Sequence, residues 1–123
     1  MSFKIEWKGS NVIISFTKNF IYKDSYEANN LIYGDSRFDT MKYQISDCSK
    51  IEKVEFTEEE IKIITTLEKS SSIWNNKMKM AVVTSDTVCL DFMLDPYFEG
   101  MKNTNWEFKT FKNSIEAEKW CSE

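Results

Sequence analysis

Few residues of this chain stand in an arrangement that catalyses anything. Histidine is absent, which removes the usual zinc sites, histidine-dependent triads and imidazole acid–base roles together. The three cysteines, Cys48, Cys89 and Cys121, are far apart and form no CxxC pair. Neither a metal cluster nor a disulfide framework is therefore expected, and a thiol with no base beside it is not an activated nucleophile. The cysteines read as small buried hydrophobes of a protein in a reducing cytoplasm. The expectation is no catalytic set, no metal and no cofactor.

The polar residues that remain suit binding better than reaction. Asp47 falls at the expected C-terminal end of a strand, the usual location of sites in open α/β sheets, although capping the next turn is its plainer role. Arg37, the sole arginine, has the fork geometry to hold Asp39 or Asp47 in a bidentate pair. Thr57 precedes Glu58-Glu59-Glu60 as a helix N-cap, with modification of its hydroxyl as the alternative. Carboxylates such as Asp86 and Asp95 near one sheet edge are of the type that holds Mg²⁺, but nothing in their spacing selects a site. Tyr97 and Phe98 follow Pro96 on an interrupted segment and are placed to line a pocket or a partner surface. The expected interaction surface is thus Asp47, Ser49, Thr57, Asp86, Tyr97 and Phe98, with residues 47–49 and 84–98 at its border and Thr84 and Ser85 beside them.

The elements that must position these residues follow from periodicity. Phe3, Ile5 and Trp7 alternate with charged neighbours as a half-buried strand does, and Gly9-Ser10-Asn11 turns the chain into a second strand at 12–16. Asp24 with Glu27 predicts the start of a helix that Gly34 ends. Met41, Tyr43 and Ile45 predict a third strand ending near Asp47. Thr57 and Glu60 form a capping box, Phe56 and Ile61 a hydrophobic staple, and Ile61, Ile64, Leu67, Ser71 and Trp74 recur at helical spacing. That helix is expected to run to about Asn75. Residues 78–84 read as a buried strand, and 86–102 as a helix broken or restarted at Pro96 with Asp95 as its cap. A last strand from about Trp106 and a helix capped by Ser114 complete the chain. The order β-β-α-β-α-β-α-β-α predicts one α/β domain over residues 1–123, with a mixed, mainly parallel five-stranded sheet, about four helices and an opening hairpin.

Composition agrees with that class. The chain has 123 residues with 41% apolar and 15% aromatic content, enough for a core without staples. A net charge of −4 and a single arginine argue against nucleic acid as a partner. No apolar run reaches the ~18 residues of a membrane helix, and the N-terminus lacks a signal-peptide core. A cytoplasmic location without membrane insertion is expected.

In their order, the segments Phe38-Asp39-x-Met41-Lys42-Tyr43-x-Ile45-x-Asp47-x-Ser49-x-Ile51, Phe56-Thr57-x-Glu59-Glu60-Ile61, Lys79-x-Ala81-Val82-Val83, Trp106-Glu107 and Ser114-Ile115-Glu116-Ala117-x-x-Trp120 resemble bacterial STAS-like proteins, relatives of the anti-sigma-factor antagonists. The resemblance spans nearly the whole chain. It implies a mixed sheet flanked by helices, used for binding and regulation instead of catalysis. In the antagonists a serine opening the helix after the third strand is phosphorylated by a partner kinase. Thr57 lies near that point, but the family's Asp-Ser-Ser/Thr-Gly sequence is absent and three glutamates follow, where phosphate would meet like charge. The kinase switch therefore does not carry over. The reading is a non-enzymatic regulatory module that engages another cytoplasmic protein. The alternative is a small-molecule or lipid-binding domain with an apolar cleft near residues 86–102.

Overall fold

The computed structural model describes residues 3–86 and 90–123. Strand β1, Phe3–Lys8, turns at Gly9 (φ 63°) into β2, Asn11–Ile21. The two pair antiparallel from Phe3 opposite Phe16 to Lys8 opposite Asn11. A positive φ in so tight a turn is the conformation glycine supplies without steric cost.

Strand β2 is longer than its apolar core at 12–16 predicts, and it runs straight into helix α1, Tyr22–Tyr33. The expected cap at Asp24 is corrected: Ile21 occupies the cap position without a side-chain hydrogen bond, and Asp24 is buried within the first turn. With no loop between strand and helix, there is no free position for a capping side chain. Gly34 ends α1 as expected, its N–H donating to Asn30 O.

After a 3-10 turn at Ser36–Thr40, strand β3 covers Tyr43–Glu55. It does not stop at Asp47, because Lys50–Glu55 pair with the second half of β2. Met41 lies outside it and is buried. Two register shifts interrupt this parallel pair, and Lys18 takes φ 58° at the second. Bulges of this kind bend a strand and raise its twist. At the first shift the Asp47 carboxylate accepts from Ser49 N at 3.0 Å and Ser49 Oγ at 2.6 Å.

Helix α2, Glu58–Trp74, starts where the sequence says: Thr57 Oγ1 accepts from Glu60 N at 3.1 Å, and Thr57 N donates to Glu60 Oε1 at 2.9 Å. Strand β4 is Lys79–Val83. Helix α3, Asp91–Met101, contains Pro96 without breaking, so Asp95 is an interior residue and not a cap. Proline forfeits one intrahelical bond. Buried Leu94, Tyr97 and Met101 anchor the helix on both sides of it. Val88 and Cys89 lie outside the described residues. Strand β5, Glu107–Phe111, leads to helix α4, Ser114–Cys121, whose cap is Asn113 and not Ser114: Asn113 Oδ1 accepts from Glu116 N at 2.9 Å.

The five strands lie in the order β1-β2-β3-β4-β5, parallel except at the opening hairpin. Helices α1, α2 and α3 pack on one face, over Val12, Ile14, Phe16, Met80 and Val82. Helix α4 covers part of the other, where Ala117 and Cys121 meet Ile45, Ala81 and Val83. Among the described residues, no helix is long and apolar enough to cross a membrane.

Candidate functional site

Strand alternation decides what faces the three-helix layer. On β3, Gln44, Ser46 and Cys48 share the side turned to α2 and α3, while Ile45 packs with α4. From β2 come Ile14 and Phe16, and from β4 Met80 and Val82. The helices close over this surface without filling it, leaving a cavity of about 60 Å³. Helix α1 contributes Ser25 and Asn29, α2 contributes Ile61, Ile64 and Glu68, and α3 contributes Met93, Leu94 and Tyr97.

The polar atoms here are organised around one carboxylate. Glu68 is 4% exposed. Its Oε2 accepts from Asn29 Nδ2 at 3.1 Å, and its Oε1 accepts from the Tyr97 hydroxyl. Burial pushes the carboxyl up to about 7, against the hydrogen bonds from Tyr97 and Asn29, which favour the ionised form. The same burial, reinforced by the Glu68 charge, holds the Tyr97 and Tyr33 hydroxyls well above their ordinary range. Among the described residues, two buried side-chain polar atoms lack a partner: Gln44 Oε1 on the cavity wall, and Tyr33 Oη, whose ring packs on Phe38 at 4.9 Å between centroids. An unmatched buried polar group costs about 1–3 kcal/mol, so Gln44 Oε1, on the cavity wall, is a place where a ligand or a water gains a bond.

Of the residues expected from sequence, Tyr97 lines this cavity. It is buried against Glu68, and Phe98 stacks beside Tyr97 at 5.5 Å and on Phe108 at 5.8 Å. The other expected residues are not brought together with them. Asp47 and Ser49 bond each other, and Asp47 lines a separate groove with Ser15 and Lys50 instead of the cavity. Thr57 caps α2, beyond the end of β3 at Glu55 and away from Asp47. Asp86 pairs with Lys112 at 3.0 Å on the surface. Arg37 chooses neither Asp39 nor Asp47: its Nε and Nη2 donate to Asp35 at 2.9 and 2.8 Å, and its guanidinium lies 3.8 Å over the Trp7 ring. That hydrogen-bonded pair holds the Asp35 carboxyl down at about 2. Burial raises the Cys48 thiol to about 12 and that of Cys121 to about 11, so both are poor nucleophiles.

Glu68, Asn29 and Gln44 were not among the expected residues: Glu68 and Asn29 carry a sequence signal for burial, whereas strand alternation gives none for Gln44. Ile61, Ile64, Thr65, Glu68 and Ser71 follow three- and four-residue spacing, and these are the buried residues of α2. Trp74, counted on that stripe from sequence, is 81% exposed. Asn29 lies one turn after Ser25 and beside Ala28 and Ile32 on the buried side of α1.

No protein-family model matches the chain, and no protein with a curated description does. Among solved structures it is similar to the crystal structure of an uncharacterised protein of the DUF3478 family with a SpoIIAA-like fold, from Shewanella loihica PV-4. The two share 12% identity and a TM-score of 0.55 over 97% of this chain and 91% of the other. The chain thus has a SpoIIAA-like, STAS-like fold, with the five-stranded mixed sheet and four helices that its sequence resemblance implied.

Proposed function

We propose that this protein is a non-enzymatic binding and regulatory module of the cytoplasm that takes a small molecule into the cavity beneath α3. The observation that carries this is the cavity itself: it contains a buried carboxylate and an acceptor with no partner, Gln44 Oε1. Buried polar groups lower stability unless matched, and a site that tolerates them earns an explanation beyond packing. Binding is favoured over catalysis because the groups at hand are held, not activated. Glu68 is engaged by two donors, and the Cys48 thiol on the wall is pushed away from its reactive form. The size favours a ligand of a few heavy atoms over a lipid, since pockets for drug-sized molecules enclose roughly 300–1,000 Å³.

Protein-observed NMR against a library of small alcohols, amides, amines and ketones tests the reading. Shifts concentrated on Asn29, Gln44, Glu68 and Tyr97 are expected. If no compound moves these residues at millimolar concentration, the cavity is a packing defect and the reading fails.

A protein partner is favoured by a separate feature. Ile73 and Trp74 are 79% and 81% exposed at the end of α2, and large apolar groups left open together mark contact surfaces. The double substitution Ile73→Glu, Trp74→Glu is expected to abolish retention of any protein that binds the wild-type chain. Retention unchanged by it overturns this second reading.

A further inference from the structure

Among the described residues, the buried polar atom of the cavity wall that has no partner is an acceptor. Glu68 brings two carboxylate oxygens, each with one donor, and Gln44 brings an oxygen with none. No lysine or arginine is among the lining residues, so no positive charge offsets the carboxylate. Besides Ser25, Ser46, Cys48 and Asn29, the remaining wall is aromatic and aliphatic, with Phe16, Phe20, Phe56 and Tyr97 beside Ile14 and Leu94. Buried charges in proteins are paired, and rings next to a carboxylate are the setting in which ammonium groups are held. A neutral alcohol would satisfy Gln44 and leave Glu68 without a counter-charge. A carboxylate ligand would meet Glu68 as like charge.

We infer that the cavity is built for a small primary ammonium compound with a short apolar body, its charged head served by the Glu68 carboxylate and by Gln44 Oε1. This rests on the ligand-binding reading above and names the class of ligand. Gln44 is 2% exposed and its oxygen has no other partner, so the head group gains a bond that the free protein lacks. The ammonium has three protons, enough to serve both acceptors.

Binding of this kind is linked to pH through Glu68. The titratable groups around it are the hydroxyls of Tyr97 from α3 and Tyr33 from α1, with the Cys48 thiol on the cavity wall from β3. All three are raised and therefore neutral near pH 7. Asn29 from α1 is an uncharged donor. The free carboxyl loses its proton near pH 7, while an alkylamine stays protonated well above that. Affinity for the amine thus rises as pH increases from 6 to 8, by about tenfold.

The test is an NMR titration with propylamine, 1-propanol and propionate at pH 6 and pH 8. At pH 8 propylamine is expected to bind at least tenfold more tightly than 1-propanol, with most of that advantage lost at pH 6. Glu68→Gln should abolish the preference for amine over alcohol while 1-propanol still binds. Gln44→Met, which keeps shape and removes the acceptor, should weaken the amine several-fold with Glu68 in place. If Glu68→Gln fails to fold, the wild-type pH comparison and Gln44→Met decide the matter. Equal affinity for amine and alcohol, or a preference for propionate, overturns the ammonium assignment and leaves the ligand-binding reading standing. Failure of all three probes, together with a silent library screen, overturns both.

Discussion

The two faces of the sheet are packed from alternate residues of the same strands and have opposite interiors. Under α4, Ile45, Ala81, Val83, Ala117 and Cys121 form a small cluster of apolar side chains. Two alanines, 1% exposed or less, let the helix approach the strands closely. Under α1, α2 and α3 the apolar cluster is far larger, yet Asn29, Gln44 and Glu68 are buried in it around an unfilled space. Stability alone accounts for the first arrangement. The second gives up stability that an apolar filling would have supplied, and real proteins break the rules of core packing mainly at functional sites. The contrast is what favours the three-helix face for the proposed binding site.

The largest expected effect lies on the scaffold side. Ile45→Ala removes a side chain that is fully buried, and about 2–5 kcal/mol of stability should go with it. A denaturant titration showing less than about 1 kcal/mol would mean that the α4 layer collapses freely and is not the rigid half.

The cavity side should dominate the pH dependence. Glu68 ionises near 4.5 in an unfolded chain and near 7 here. The folded state thus keeps a proton that the unfolded chain has lost, and stability declines as pH rises from about 4.5 to about 7. The loss from this group is about 3 kcal/mol. In Glu68→Gln that decline should vanish, and a variant with the same slope as wild type would show that the carboxyl is not buried as described.

Added volume should separate the faces more finely. Ala117→Leu overpacks a filled layer and should cost about 1–3 kcal/mol. Ser46→Val enlarges a side chain on the cavity wall and should be neutral, or stabilise by up to about 1 kcal/mol as cavity filling does. Equal losses in thermal melts would erase the distinction between the faces. Smallest among the destabilising changes, Thr57→Ala removes the α2 cap and should cost about 1 kcal/mol. Its NMR shifts at Glu68 and Tyr97 should stay within the wild-type pattern, because the cap lies outside the cavity lining.

Local chemistry explains why so much of the architecture is legible in the chain. The hairpin at Gly9, the capping box of Thr57 and Glu60, the stop at Gly34 and the element order all depend on neighbours within a few residues. Those interactions operate before any tertiary contact forms. Two of the errors arise where distant contacts take over. Strand β3 runs past Asp47 because β2 offers it partners as far as Ile21, and α3 continues through Pro96 because buried Leu94, Tyr97 and Met101 anchor it on both sides.

The candidate site was less legible, and for one reason. In β3, alternation alone would send Gln44 outward, away from Ile45. Helices cover both faces of this sheet, so the residue opposite a core position is buried too. The same holds for Glu68, a polar residue on a helical stripe whose other buried members are Ile61, Ile64, Thr65 and Ser71. Short-range hydrogen bonding and periodicity specify the elements, their order, the Thr57 cap and the Gly34 stop, whereas the caps expected at Asp24, Asp95 and Ser114 lie elsewhere. Which polar side chains lie together, and that Asn29, Gln44, Glu68 and Tyr97 share one cavity while Asp47, Thr57 and Asp86 do not, was decided only when three helices closed over one face, because burial is a property of what packs above a residue.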